Sequence, residues 1–94
     1  MDKITLSIYV PCFNEENNIV NTLNGIKEAV QNISYEVLVV DDASKDKTID
    51  MVEKFKKDNP DINIKIFHNK NNQGIGFNHR VTAYKAIGKY YMMI

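Results

Sequence analysis

The chain has a single cysteine, no net charge and no long apolar run. With Cys12 alone an internal disulfide is impossible, which suits a reducing compartment. Twelve Lys and Arg balance twelve Asp and Glu. No overall field therefore draws the molecule to nucleic acid or an anionic membrane, and any phosphate binding has to be local. The segment after Met1-Asp2-Lys3 is too short and too alternating for a secretory leader or a membrane span, so the expected location is cytoplasmic. Repeats and low-complexity tracts are absent. Ninety-four residues suit one small domain, which buries roughly 60–65% of its unfolded surface and has no room for a second core.

What is present is a regular alternation of two periodicities. Ile4, Leu6, Ile8 and Val10 alternate with Thr5, Ser7 and Tyr9, a strand that Pro11 is expected to close. Asn14 offers an N-cap with Glu15 and Glu16 in the first turn, and Ile19, Leu23, Ile26 and Val30 follow at helical spacing, which predicts a helix over 15–31. Val37 to Val40 is a continuous apolar run, as in a central strand covered on both faces. A second helix is expected from Asp46 or Lys47, packing through Met51, Val52 and Phe55 and ended by Asn59-Pro60-Asp61. Ile62, Ile64 and Ile66 alternate with polar residues, the half-exposed pattern of an edge strand. After a polar loop from Asn69 to Gly76, a third helix runs to about Ile87, Gly88 caps it, and Tyr90 to Ile94 begins a fourth strand. This order implies an α/β fold, a Rossmann-like three-layer sandwich with a parallel sheet of four strands and three helices.

In such a sheet, loops at the carboxyl ends of the strands converge on a ligand crevice. Here those loops are Pro11 to Glu16, Asp41 to Asp46 and Asn69 to Gly76. Asp41 and Asp42 cannot both face the crevice along an alternating strand. One is expected to meet the ligand and the other to order the turn, unless both are simply turn and capping acids. Gly74-Ile75-Gly76 opens the third helix, where glycines let a ligand approach backbone N–H groups; an ordinary flexible loop explains them equally. No third glycine follows at the spacing of a dinucleotide fingerprint, which disfavours a nicotinamide enzyme. His79 and Arg80 lie near a diphosphate on this arrangement, or on a solvated helix face. His68 and Cys12 lack the short repeats of a zinc site. The tyrosines read as core and interface, whereas Phe13 sits in a strand-end loop where a flat base can rest.

Taken together, Val10-Pro11-Cys12-Phe13-Asn14-Glu15-Glu16, Val37 to Thr48 with its Asp41-Asp42-Ala43-Ser44-Lys45-Asp46, Asn72-Gln73-Gly74-Ile75-Gly76 and Ala86-Ile87-Gly88-Lys89-Tyr90 resemble the start of a family 2 glycosyltransferase. These are inverting enzymes of GT-A fold, and the flavour is that of the polyprenyl-phosphate hexose transferases. The resemblance implies that residues 1–94 are the N-terminal nucleotide-sugar-binding part of the domain, ending before its metal-binding acidic motif. It implies that Pro11, Phe13 and Glu15 line the base and ribose pocket, that Asp42 hydrogen-bonds the base, that Asp41 supports the turn or ribose, and that Gly74 and Gly76 leave space beside the diphosphate and sugar. A UDP- or GDP-linked sugar is the implied partner. The implied Mg²⁺ or Mn²⁺ of the full enzyme has its ligands beyond these residues, as does the catalytic base, so the chain alone is expected not to turn over. A full-length form is open to membrane association. Asn78 and Thr82 stand where relatives often carry a small residue and a glycine, and His79-Arg80 where many carry Arg-Asn. A reading from another class is a non-catalytic module that self-associates through the exposed edge of its last strand.

Overall fold

A computed structural model describes residues 3–94; Met1 and Asp2, the head of the segment weighed as a leader, lie outside the described residues. The elements follow in the predicted order: β1 (Leu6–Cys12), α1 (Ile19–Ala29), β2 (Tyr35–Asp42), α2 (Thr48–Asp58), β3 (Asn63–Asn69), α3 (Ile75–Lys85) and β4 (Tyr90–Met93). All strand pairs are parallel and the spatial order is β3-β2-β1-β4. The half-exposed isoleucine pattern thus lies at one edge and the continuous Val37–Val40 run inside. Because the chain leaves β1 toward β2 and returns on its other side with β4, the switch point falls beside the end of β1.

Alternation along the strands sorts side chains onto two faces. Ile8, Val10 and Cys12 of β1, Val37 and Val39 of β2 and Ile64 of β3 meet Ile19, Leu23 and Ile26 of α1 and Val52 and Phe55 of α2. Each such side chain contributes about 1.5–3 kcal/mol on burial, which makes this face the main core. The opposite face lies under α3 and is more polar. There α3 turns Asn78 and Thr82 inward, both buried, while Phe77, Val81 and Tyr84 are exposed.

A buried acid organises the lower end of this second face. Glu36 is fully buried and accepts from the Ser7 hydroxyl at 2.6 Å, the Ile87 N–H at 2.9 Å and the Lys65 ammonium at 2.9 Å. Burial alone would raise its pKa, but the Ile87 N–H, the Ser7 hydroxyl and Lys65 outweigh it and hold the carboxyl below its ordinary value.

Helix α1 ends at Ala29 and α2 starts at Thr48, within two residues of the sequence reading, and three further boundaries differ from it. Helix α1 begins at Ile19, not in the Asn14–Glu16 region, because Asn14 takes a left-handed φ of 52° and residues 15–18 form a separate turn, with the N–H groups of Asn18 and Ile19 both reaching Glu15 O. Strand β1 runs through Pro11 to Cys12 instead of stopping before it. Pro11 shares its backbone side with Tyr9, which faces β4, so its missing N–H leaves the pairing with β2 intact through Pro11–Val40 and Cys12–Asp41. Helix α3 ends at Lys85, and Gly88 does not cap it.

Instead Gly88 lets the α3–β4 connection lie against β1. Its N–H donates to Ser7 Oγ at 2.8 Å, and a Cβ at this position would come within 2.6 Å of that oxygen and 2.7 Å of Ser7 N. Gly88→Ala is therefore expected to destabilise the fold by about 1–3 kcal/mol, the usual cost of overpacking. Urea denaturation checks this; an unchanged midpoint would show that β4 is not pinned by this contact.

Candidate functional site

The carboxyl ends of β1, β2 and β3 border an open cleft of about 330 Å³, lined by Pro11, Cys12, Phe13, Glu15, Asp42, Asn72, Gly74 and Asn78. Pro11, Phe13, Glu15, Asp42 and Gly74 of the predicted residues come together here. Asp41 and Gly76 do not line it. Gly74 has a left-handed φ of 85° and open space where a Cβ would stand, whereas Gly76 looks toward Arg80. Cys12, Asn72 and Asn78 are cleft residues that sequence reasoning did not select. Asn78 stood out in the sequence only as a departure, where relatives often carry a small residue. A second hollow, about 340 Å³ between β3 and α3, has Phe67, Phe77, Val81 and Lys85 in its walls and no carboxylate.

The two adjacent acids are divided by the sheet. Asp41 shares the α1/α2 face, is fully buried, and accepts from Ser44 N at 3.0 Å and the Ser44 hydroxyl; His68 Nδ1 lies 2.8 Å from its Oδ2. It orders the turn in which Ala43 takes a φ of 67°. That pairing gives His68 a structural partner, 27 residues away, which its sequence neighbours do not betray.

Asp42 faces α3 and the cleft. Its Oδ1 accepts from Asn69 Nδ2 at 3.0 Å and Gln73 N at 2.7 Å, while Oδ2 accepts from Gly74 N at 2.9 Å. Burial pushes this carboxyl up, and the Asn69 amide followed by the Gln73 and Gly74 N–H groups more than reverses it, leaving it below its ordinary value.

Phe13 and Glu15 are carried by a loop with no helix cap of its own. Its N–H groups are answered from the start of α2: Asn14 N donates to Ser44 Oγ at 2.7 Å, Glu15 N to Thr48 Oγ1 at 2.8 Å and Glu16 N to Asp46 Oδ2 at 3.2 Å. Phe13 stays 47% exposed at the cleft. The Cys12 thiol is buried, and that burial, with the Asp41 carboxylate beside it, pushes its pKa up to about 12, which disqualifies it as a nucleophile.

His79 answers neither expectation fully. Its ring stacks on Tyr9 at 5.8 Å and lies 5.4 Å from Tyr91, so it joins an aromatic group beneath α3, although the residue itself is exposed. Tyr9 is core, as read; Tyr84 and Tyr90 are exposed.

The sequence profile of Glycosyl transferase family 2 matches residues 7–94. The chain belongs to this family. Among its curated relatives, the dolichyl-phosphate beta-glucosyltransferase of Dictyostelium discoideum is 31% identical over 101 residues, covering 100% of this chain and 31% of that protein. Among solved structures, S. aureus TarS 1-349 in complex with UDP-GlcNAc superposes with a TM-score of 0.84 at 30% identity, over 97% of this chain and 26% of the other. The mannosyltransferase PcManGT of Pyrobaculum calidifontis, in complex with GDP-Man and Mn²⁺, gives 0.80 at 26% identity, over 92% and 25%. The four parallel strands and three helices are thus those of a GT-A fold. This family 2 chain spans a third or less of these relatives.

For a divalent cation the described residues do not fit. Among them no group of three His, Cys, Asp or Glu side chains is placed to hold an ion, and Asp41 and Asp42 point to opposite faces. No helix among the described residues is long and apolar enough to cross a membrane.

The lowered carboxyls fix how acid acts on the fold. Asp42, Asp46 and Glu36 all sit below their ordinary values, so on acidification the unfolded chain takes up protons before the native one. Their stabilisation is present in full above the ordinary carboxylate range, about pH 4, and is lost as pH falls through the native values. Urea midpoints from pH 7 to 3 should be flat to about pH 5 and then drop; a midpoint that rises on acidification would contradict these assignments.

Proposed function

We propose that this chain forms the donor-nucleotide part of an inverting glycosyltransferase, which moves a hexose from a UDP- or GDP-linked sugar to a lipid-phosphate, saccharide or other acceptor. One observation carries the reading: the Asp42 carboxylate and the exposed ring of Phe13 line the same cleft. A nucleobase presents both an N–H edge for the carboxylate and a flat face for the ring. Glu15 lies within reach of the ribose side and Asp41 supports the turn from behind. Gly74 keeps the diphosphate side open; for Gly76, outside the cleft lining, a role beside the sugar is the weaker part of the assignment. The relatives with UDP-GlcNAc and GDP-Man support nucleotide sugars as the ligand class, and the Mn²⁺ of one of them supports Mg²⁺ or Mn²⁺ as the ion of the whole enzyme. On this reading the ion's ligands and the acceptor's base are supplied by other parts of the enzyme, and the part described here binds donor without turning it over.

Calorimetric titration with UDP, GDP and their sugars should give saturable binding at or below millimolar ligand. Phe13→Ala should weaken it by the worth of one stacked base, about 1–3 kcal/mol. Asp42→Asn should weaken it too, and should also lower the melting temperature, since an amide puts a donor opposite the Gln73 or Gly74 N–H. Folded protein that binds no nucleotide would refute the reading.

A second reading, self-association, is favoured by β4, where Tyr90 is 59% and Met93 49% exposed on the outermost described strand. Sedimentation velocity across a hundredfold concentration range should then show a rising sedimentation coefficient. A strict monomer removes this reading.

A further inference from the structure

We propose that Thr48 and Asp46, at the start of α2, are positioning residues that aim the Phe13–Glu15 wall of the cleft. The inference rests on the nucleotide-binding reading of that cleft, to which neither residue contributes a wall. An N-terminal helix turn normally spends its capping side chains on its own N–H groups. Here they are shared with another element. Asp46 Oδ1 accepts from Thr48 N at 3.0 Å and from the Thr48 hydroxyl, while its Oδ2 reaches Glu16 N.

A hydroxyl has one proton. Since that of Thr48 is directed to Asp46, its oxygen turns a lone pair to the Glu15 N–H at 2.8 Å. Thr48 is fully buried, so no water substitutes for this partner. A second tie flanks it, from Lys45 N to Asn14 Oδ1 at 2.8 Å. The strap matters because Asn14 has a left-handed φ and α1 has no side-chain cap: within β1–α1 the Glu15 carbonyl takes the Asn18 and Ile19 N–H groups, whereas the N–H groups of Asn14, Glu15 and Glu16 are answered from the β2–α2 side. The backbone of the binding loop is therefore set from α2, about thirty residues later in the chain.

Thr48→Val removes the hydroxyl and keeps the shape, and Thr48→Ser keeps the hydroxyl. Amide hydrogen exchange by NMR and titration with UDP and GDP are read together on both variants. Expected for Thr48→Val is faster exchange at Glu15 by about tenfold, and affinity weaker by about tenfold, the scale of one lost hydrogen bond, with Val39 and other core amides protected as before. Thr48→Ser should restore both. If Thr48→Val does not fold, Asp46→Asn, which replaces one acceptor oxygen by a donor, is measured the same way at Glu15 and Glu16. The proposal is overturned if a folded Thr48→Val matches the wild type at Glu15 and in affinity, or if Thr48→Ser fails equally. Wild-type protein that binds no nucleotide would instead defeat the reading of the cleft, and the exchange rates would still decide the strap.

Discussion

Strand β2 obeys a rule it cannot evade: consecutive side chains point to opposite faces. Its final two residues are both carboxylates, so one is committed to each layer of the sandwich. Asp41 supports the α2 side, closing the turn through Ser44 and pairing with His68, and Asp42 supports the α3 side, gathering the N–H groups of Gln73 and Gly74. Glu36, six positions before Asp42 on the same side, performs the corresponding task at the other end of the strand by holding Ser7 and Ile87. The loops that make the cleft and the connection that brings β4 home are thus fastened to one central strand.

That arrangement explains the contrast between the two faces. The α1/α2 face is a conventional apolar core and is held by area. Helix α3 leaves Phe77, Val81 and Tyr84 exposed and turns Asn78 and Thr82 inward; from the end of β3, Asn69 Nδ2 donates to both Asn78 Oδ1 at 2.7 Å and Asp42 Oδ1 at 3.0 Å, and Gly74 N at the head of the helix donates to Asp42 Oδ2 at 2.9 Å. The helix is placed by directional bonds, which fix its distance from Asp42 better than a greasy contact would, at the expense of stability.

The order of elements and the sheet faces of α1 and α2 were legible because periodicity is a local property: Ile19, Leu23 and Ile26, or Val52 and Phe55, need no knowledge of the rest of the chain. So was the splitting of Asp41 from Asp42, which follows from pleating alone. Asn14-Glu15-Glu16 misled because a cap signal and a loop whose amides are satisfied elsewhere look alike in sequence; the acceptors, Ser44, Thr48 and Asp46, come about thirty residues later. Gly88 misled for a similar reason, since only the approach of Ser7 distinguishes a close-contact glycine from a helix stop. His68 and Asn78 were missed because their partners, Asp41 and Asn69, are joined to them by the sheet and the β3–α3 loop rather than by spacing.

Cys12 ends β1 at the rim of the cleft, yet its thiol is sealed inside the core, its pKa pushed up to about 12. Alkylation needs a thiolate that a reagent can reach, and the folded chain offers neither. The unfolded chain offers both. One thiol per molecule therefore separates folded from opened copies by mass, and it stands at the strand end from which the binding loop departs.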